Sequence, residues 1–196
     1  VEDFLPLVQY VERYIQLTGD EQLFLCSLLR LTPVRRKQCI VQPDFTCRYR
    51  SYVVKGAMRA YLVSNEGKEH TIALAIDDWW ISDYTSYINQ TPATLFVEAL
   101  ENSLLIQISY ADEQRLMDVI PKFERFFRII TQRSFSFSQQ RILCNLSKSA
   151  EERYEEFLAK YPDIANRVPQ YALASYLGFS TEFLSRIRGN RAKKLI

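Results

Sequence analysis

Gln170-Tyr171-Ala172-Leu173-Ala174-Ser175-Tyr176-Leu177-Gly178-Phe179-Ser180-Thr181-Glu182-Phe183-Leu184-Ser185-Arg186-Ile187-Arg188 reads as two short helices joined by a tight turn. Leu173, Leu177, Phe179, Leu184 and Ile187 are the apolar positions that two steeply crossed helices bury between them. Ala174 is small where the helices come closest. Gly178 stands where the first helix must stop in a left-handed turn, a conformation only glycine adopts cheaply. Ser180 can cap the second helix by accepting from its free amides, and Glu182 lies in the first turn, where the helix dipole favours an acid. Cations follow at Arg186, Arg188, Arg191, Lys193 and Lys194. An ordinary helical hairpin would show some of these features. Their agreement in one register predicts a helix-turn-helix that binds DNA.

The rest of the chain sets limits on that reading. A length of 196 residues allows one large or two small domains, and 47% apolar residues can fill a real core. A net charge of +2 gives no molecule-wide pull toward nucleic acid, so attraction must come from the local C-terminal cations. Cys26, Cys39, Cys47 and Cys144 lack metal-site spacing, and His70 stands alone, so free thiols and no metal or other cofactor are expected. No apolar run approaches the ~20 residues needed to cross a membrane, and no signal pattern opens the chain. A cytoplasmic protein is expected.

Helical spacing in Phe4, Leu7, Val8, Val11 and Ile15, and again in Leu23, Phe24, Leu28 and Leu29, predicts two N-terminal helices, the second opened by a capping box at Thr18-Gly19-Asp20-Glu21. From Pro33 the pattern changes to short strands: 38–41, 50–55, 57–64, 70–76, 94–100 and 104–108, separated by turn signals. Strands so closely spaced, without crossover helices, predict a small antiparallel barrel or roll. The segment 79–90, with Trp79, Trp80, Tyr84 and Tyr87, is expected as a short helix or loop over its opening.

Ser109 and Asp112 predict another cap, and Pro121 opens the longest helix, running to about Asn145. Phe123, Ile130, Phe137 and Cys144 recur every seven residues along it, with Phe126 and Phe127 alongside. Such a stripe wants a partner. Contact with the chain's own barrel is expected early, and a twofold-related helix along the whole stripe, which makes Phe123, Phe127, Ile130, Phe137 and Cys144 the expected dimer interface. Ser149 to Glu152 is a further capping box, and Pro162 ends the helix it opens.

Helical lead, small roll, long helix and terminal helix-turn-helix, in that order, resemble the Crp/Fnr family of bacterial transcription regulators over nearly the whole chain. Tyr52-Val53-Val54-Lys55-Gly56-Ala57-Met58-Arg59-Ala60-Tyr61 is similar to the family's central strand pair, with the hairpin Asn65-Glu66-Gly67-Lys68-Glu69 after it. Gly178 to Ile187 is similar to its recognition helix. The resemblance implies an α+β fold: an N-terminal antiparallel β-roll (a double-stranded β-helix of the cyclic-nucleotide-binding type) over 1–120, a dimerisation helix over 121–147 and a helix-turn-helix domain over 148–196. It implies a homodimer whose partners are double-stranded DNA, RNA polymerase and an unidentified small-molecule effector, with no membrane.

In that family a glutamate and an arginine one turn apart read C·G pairs, and Glu182 and Arg186 match those positions. A carboxylate accepts from cytosine N4, and a guanidinium donates to guanine. Thr181 stands where the family often has a second arginine, which implies a changed or relaxed base preference. Gln170, Ser180 and Ser185 are candidate phosphate contacts, with Arg188 and Arg191 among the cations beside them. The sensory half departs further. Ser82-Asp83 replaces the glycine–glutamate of cyclic-nucleotide binders, Thr91-Pro92-Ala93 replaces their arginine segment, and no lysine or arginine lies between Trp79 and Gln114. An uncompensated buried phosphate costs several kcal/mol, so tight binding of cAMP or cGMP is not expected. Trp80, Asp83, Tyr84, Thr91 and Ala93 are the candidate lining of whatever effector pocket remains. Family members commonly continue into a small β-hairpin near the DNA-binding helices, so this module is expected to be minimal. The alternative function is a ligand-sensing or interaction module of the same fold that no longer reads DNA. An enzyme of cupin type would need a histidine cluster, which one histidine cannot supply.

Overall fold

The computed structural model describes residues 2–194, with side chains through 190. Two short helices lead, α1 (Leu5–Glu12) and α2 (Gly19–Ser27). At the start of α2 the Thr18 hydroxyl accepts from the Glu21 amide at 3.3 Å, while the Glu21 carboxylate accepts from the Thr18 amide at 2.7 Å. That reciprocal bond is the expected capping box.

Eight strands follow in two four-stranded antiparallel sheets. One has the order β1 (Leu29–Val34), β8 (Ser103–Ser109), β3 (Tyr49–Lys55), β6 (Trp80–Ile81). The other runs β2 (Cys39–Val41), β7 (Phe96–Ala99), β4 (Ala57–Val63), β5 (Glu69–Ile76). Alternation along each strand sends Val53, Met58, Val97 and Leu105 into the space between the sheets, where they are closed off from solvent. This is the expected roll, with an interior filled by side chains.

Both outer faces are also covered. Tyr52, Ile106 and Ile108 meet Leu7, Val8 and Val11 of α1, Leu116 of α4 (Tyr110–Val119), and Phe123 and Phe126 of the long helix α5 (Lys122–Ser147). Full burial of one such side chain contributes roughly 1.5–3 kcal/mol, so this outer layer is as much core as the interior. On the second sheet Ala57 and Leu74, with Leu100 beyond β7, join Tyr154, Ile164 and Leu173 of the C-terminal helices in one cluster. Those helices are α6 (Ala150–Lys160), α7 (Pro162–Arg167), α8 (Gln170–Leu177) and α9 (Thr181–Lys194).

The helical unit therefore sits on the roll. Strand β5 ends its sheet, and a bare strand edge is a liability. Ser175 of α8 covers it: its hydroxyl accepts from the Thr71 amide at 2.9 Å and donates to the Glu69 carbonyl at 3.0 Å. Arg141 of α5 donates to the Thr71 carbonyl (3.2 Å), the Ile72 carbonyl and the Tyr176 carbonyl (2.9 Å). Arg167 bridges Asp77, Glu101 and the Gly56 carbonyl.

Three elements differ from the sequence expectation. Leu29 begins a strand, because its pairing with Ile108, far away in sequence on β8, outcompetes a further helical turn. Trp80–Ile81 forms a two-residue strand on Tyr52 and Ser51. Pro162 ends α6 and also opens α7, since proline is suited to a first helical position.

Candidate nucleic-acid interface

Gly178 ends α8 with φ +77°, and the amide of Phe179 returns to the Ala174 carbonyl at 2.8 Å. This is the left-handed turn that a side chain would strain. The Ser180 hydroxyl then accepts from the Phe183 amide at 3.1 Å and starts α9. Leu173 and Leu184 are sealed where the helices cross, with Ala174, Leu177 and Ile187 around them. Phe179 is only half-buried; it lies beneath the Arg153 guanidinium at 4.8 Å.

The exposed side of α9 holds Thr181, Glu182, Ser185 and Arg186. Glu182 is held below the usual carboxylate range by its own backbone amide and the Ser180 hydroxyl, so it is charged at neutral pH. Arg186 lies over the Phe183 ring at 4.9 Å, which fixes its stem and leaves the guanidinium edge open. Glu182 and Arg186 do not bridge each other. Gln170 crosses the turn and donates to the Thr181 carbonyl at 3.2 Å.

Arg188 departs from expectation. It is half-buried, donates to the Tyr154 hydroxyl at 2.9 Å and braces α9 against α6. At 100° per residue it lies far around the helix from Glu182, which is why it turns inward. The side chain of Arg191, with those of Lys193 and Lys194, lies outside the described residues.

The expected effector residues do not share one cavity. Trp80 and Ile81 alternate across β6, so Ile81 enters the roll while Trp80 packs outside on Tyr52 (5.4 Å) and Phe126 (6.5 Å). Tyr84 is exposed, with its hydroxyl 3.4 Å from Thr131 of α5. Ala93 is buried in the roll core. Asp83 is also buried. One carboxylate oxygen caps α3 (Tyr84–Asn89) through the Ser86 amide at 3.1 Å. The other accepts from the Thr94 and Leu95 amides at 2.9 and 3.1 Å. The Thr91 carbonyl accepts from the Ser86 hydroxyl at 2.5 Å. The protein's own carboxylate thus occupies amides that could otherwise receive an anion.

No protein-family model matches the chain. It is 25% identical over 175 residues to the regulatory protein HlyX of Actinobacillus pleuropneumoniae, spanning 84% of this chain and 72% of that one. It is 23% identical over 181 residues to the fumarate and nitrate reduction regulatory protein of Vibrio cholerae, spanning 85% and 70%. Among solved structures, FixK2 from Bradyrhizobium japonicum superposes with a TM-score of 0.75 at 18% identity, covering 86% of each chain. The chain resembles Crp/Fnr regulators in sequence and shares their fold.

The long helix is used in a way that the seven-residue stripe alone did not reveal. Phe123 and Phe127 are buried in the protomer's own core, and Ile130 packs against the same cluster. Phe137 meets Trp79 and Tyr161, at 6.0 and 5.8 Å. Cys144 donates to Glu156 at 3.6 Å. Each residue of the expected dimer stripe therefore has contacts within its own protomer, with Phe123 and Phe127 buried and Ile130, Phe137 and Cys144 half-buried. Exposed apolar residues occur instead at Phe135, Ile142, Leu143 and Leu146, at 63%, 58%, 58% and 81% exposure. At 100° per residue, Phe135, Ile142 and Leu146 lie on roughly the opposite side of α5 from Phe137 and Cys144.

Sequence reasoning also missed Arg141, Arg153, Arg167 and Ser175. Arg141, Arg167 and Ser175 act through groups far away in sequence, Arg153 through Asn145 and the Phe179 ring, and nothing in the local pattern marks any of them.

Proposed function

We propose that this protein regulates transcription by binding a pseudo-palindromic DNA site as a homodimer, with one recognition helix per subunit in successive major grooves. The supporting observation is the pair Glu182 and Arg186, one turn apart on the open side of α9 and free of each other. Twofold symmetry then sets half-sites about one helical turn, roughly 34 Å, apart. Thr181 cannot supply the second guanidinium, so discrimination at one base position is relaxed.

The second copy is taken to dock on Phe135, Ile142 and Leu146, because the opposite side of α5 is already occupied. Both copies would then hold their helix-turn-helix units outside a central pair of α5 helices. No helix among the described residues is long and apolar enough to cross a membrane, and the proposed regulator acts in the cytoplasm, meeting RNA polymerase at promoters. Cyclic nucleotides are not its tight ligands, since Asp83 holds the loop amides and the roll interior is packed.

The experiment is selection of randomised and genomic DNA fragments by the purified protein. A twofold-symmetric motif is expected. Arg186→Ala should cost on the order of 1–3 kcal/mol and relax one base position, whereas Arg188→Ala should keep the motif. A motif untouched by Arg186→Ala, or no motif from folded protein at any salt, would reject this reading in favour of an interaction module.

A further inference from the structure

A half-open cavity of about 70 Å³ lies between α5, α6 and α8. One water needs roughly 10–15 Å³, so the space suits a small organic molecule rather than a single solvent molecule. Its walls are largely aromatic: Phe137, Phe157, Tyr161 and Tyr176. Two guanidiniums, Arg141 and Arg153, also line it.

The charges around this cavity are unbalanced. Arg141 is bonded only to backbone carbonyls and lies over the Tyr176 ring at 4.1 Å. Arg153 donates to the Asn145 side chain at 2.9 Å, and its Nε atom is buried with no partner. Neither arginine forms an ion pair among the described residues. The one acid on the wall, Glu156, is already bridged to Lys148 at 2.5 Å. Burial pushes the Arg141 guanidinium down, as expected for a cation without an anionic neighbour.

We propose that this cavity binds a small aromatic carboxylate, with its ring against the aromatic wall of Phe137, Tyr161 and Tyr176 and its carboxylate on Arg141 and Arg153. Aromatic walls favour a planar ring, and paired guanidiniums favour a carboxylate over a neutral group. The cavity is separate from the Asp83 loop, and the proposal holds whether or not α9 reads DNA. Arg141 also holds the β5 edge, so an occupant would share a residue that docks the helix-turn-helix on the roll.

The test is calorimetric titration of the full chain, without DNA, using benzoate and its neutral isostere benzamide. Benzoate should saturate one site per chain and bind at least about tenfold more tightly than benzamide, because only the carboxylate gains charge-assisted bonds. Arg153→Gln should remove that preference, and Cys144→Phe, which fills the cavity, should abolish binding of both probes. Arg141→Gln should do as Arg153→Gln does; if it fails to fold, Arg153→Gln decides alone. Trp79, packed on Phe137 and Tyr161, provides an independent fluorescence readout. Failure of folded protein to bind millimolar benzoate saturably would overturn the proposal. So would equal affinities for the two probes, or a benzoate affinity unchanged by Arg153→Gln and Cys144→Phe.

Discussion

Replacing Gly56 by alanine should damage the fold far more than replacing Gly178. Both residues have positive φ, +129° and +77°, so both substitutions place a side chain where L residues are strained. That strain is of order 1–3 kcal/mol at either position. The surroundings separate them. A Cβ on Gly178 would meet only an Arg153 nitrogen at 3.9 Å, an ordinary contact. A Cβ on Gly56 would lie 2.1 Å from the Ser103 Oγ, 2.4 Å from its Cβ and 2.7 Å from its Cα. Rotation of Ser103 can remove the first of these contacts. The other two belong to the start of β8, which is paired on both sides. Relief therefore requires strands to part, and overpacking of this kind adds about 1–3 kcal/mol.

Gly56→Ala should consequently cost about 2–6 kcal/mol in total, and Gly178→Ala about 1–3 kcal/mol, the strain alone. Gly56 also donates its amide to Asp77 at 2.8 Å and gives its carbonyl to Arg167, so the displaced turn would loosen the contact between roll and helix-turn-helix. Urea unfolding followed by circular dichroism would measure both variants. Ser103→Gly in the Gly56→Ala background should restore part of the loss, because it removes Oγ and Cβ but leaves Cα in place. Equal losses for the two glycines, or a Gly56→Ala cost below about 1 kcal/mol, would refute the steric argument.

Leu146→Glu or Ile142→Glu should give a folded monomer in sedimentation experiments, whereas Phe137→Ala should lower stability without dissociating the dimer. Burial pushes the Asp77 carboxyl up, but the bonds from Arg167 and the Gly56 amide outweigh it and hold it below its ordinary value. Asp77 thus contributes stability above the ordinary carboxylate pKa, near 4, which is lost as pH falls through its lower folded value. The stability difference between the wild type and Asp77→Asn should be widest near neutrality and close below about pH 4; a constant difference down to acid would exclude the linkage. Calorimetry with cAMP should show no micromolar binding, and a clear micromolar isotherm would mean that the Asp83 amides can be surrendered.

Local chemistry was readable where a few neighbouring residues settle the outcome. The caps at Thr18, Ser109 and Ser149, the glycine turn at Gly178 and the apolar register of Leu173, Leu184 and Ile187 all form as their spacing predicts. Each depends on bonds or contacts spanning a few positions, so the pattern carries its own geometry. The order of helices, roll, long helix and helix-turn-helix was readable for the same reason, because hydrophobic period changes where the element changes.

Partner choice was not readable in this way. The stripe from Phe123 to Cys144 announces that one side of α5 must be covered, but covering by a second copy or by the same chain leaves the same repeat. The fold chose the latter and left Phe135, Ile142 and Leu146 outside. Trp80 and Asp83 are close neighbours in sequence, yet strand alternation and a helix cap send them to different environments. Arg141 and Ser175 gain their roles only when β5 and α8 meet across a hundred residues or more of chain between Thr71 and Ser175. The sequence by itself determined the elements, their order and the side chains on the exposed face of α9, because those follow from local bonding and periodicity. Only the tertiary structure decided which faces are spent inside one protomer and which remain free, because burial is a property of surfaces brought together by the whole chain.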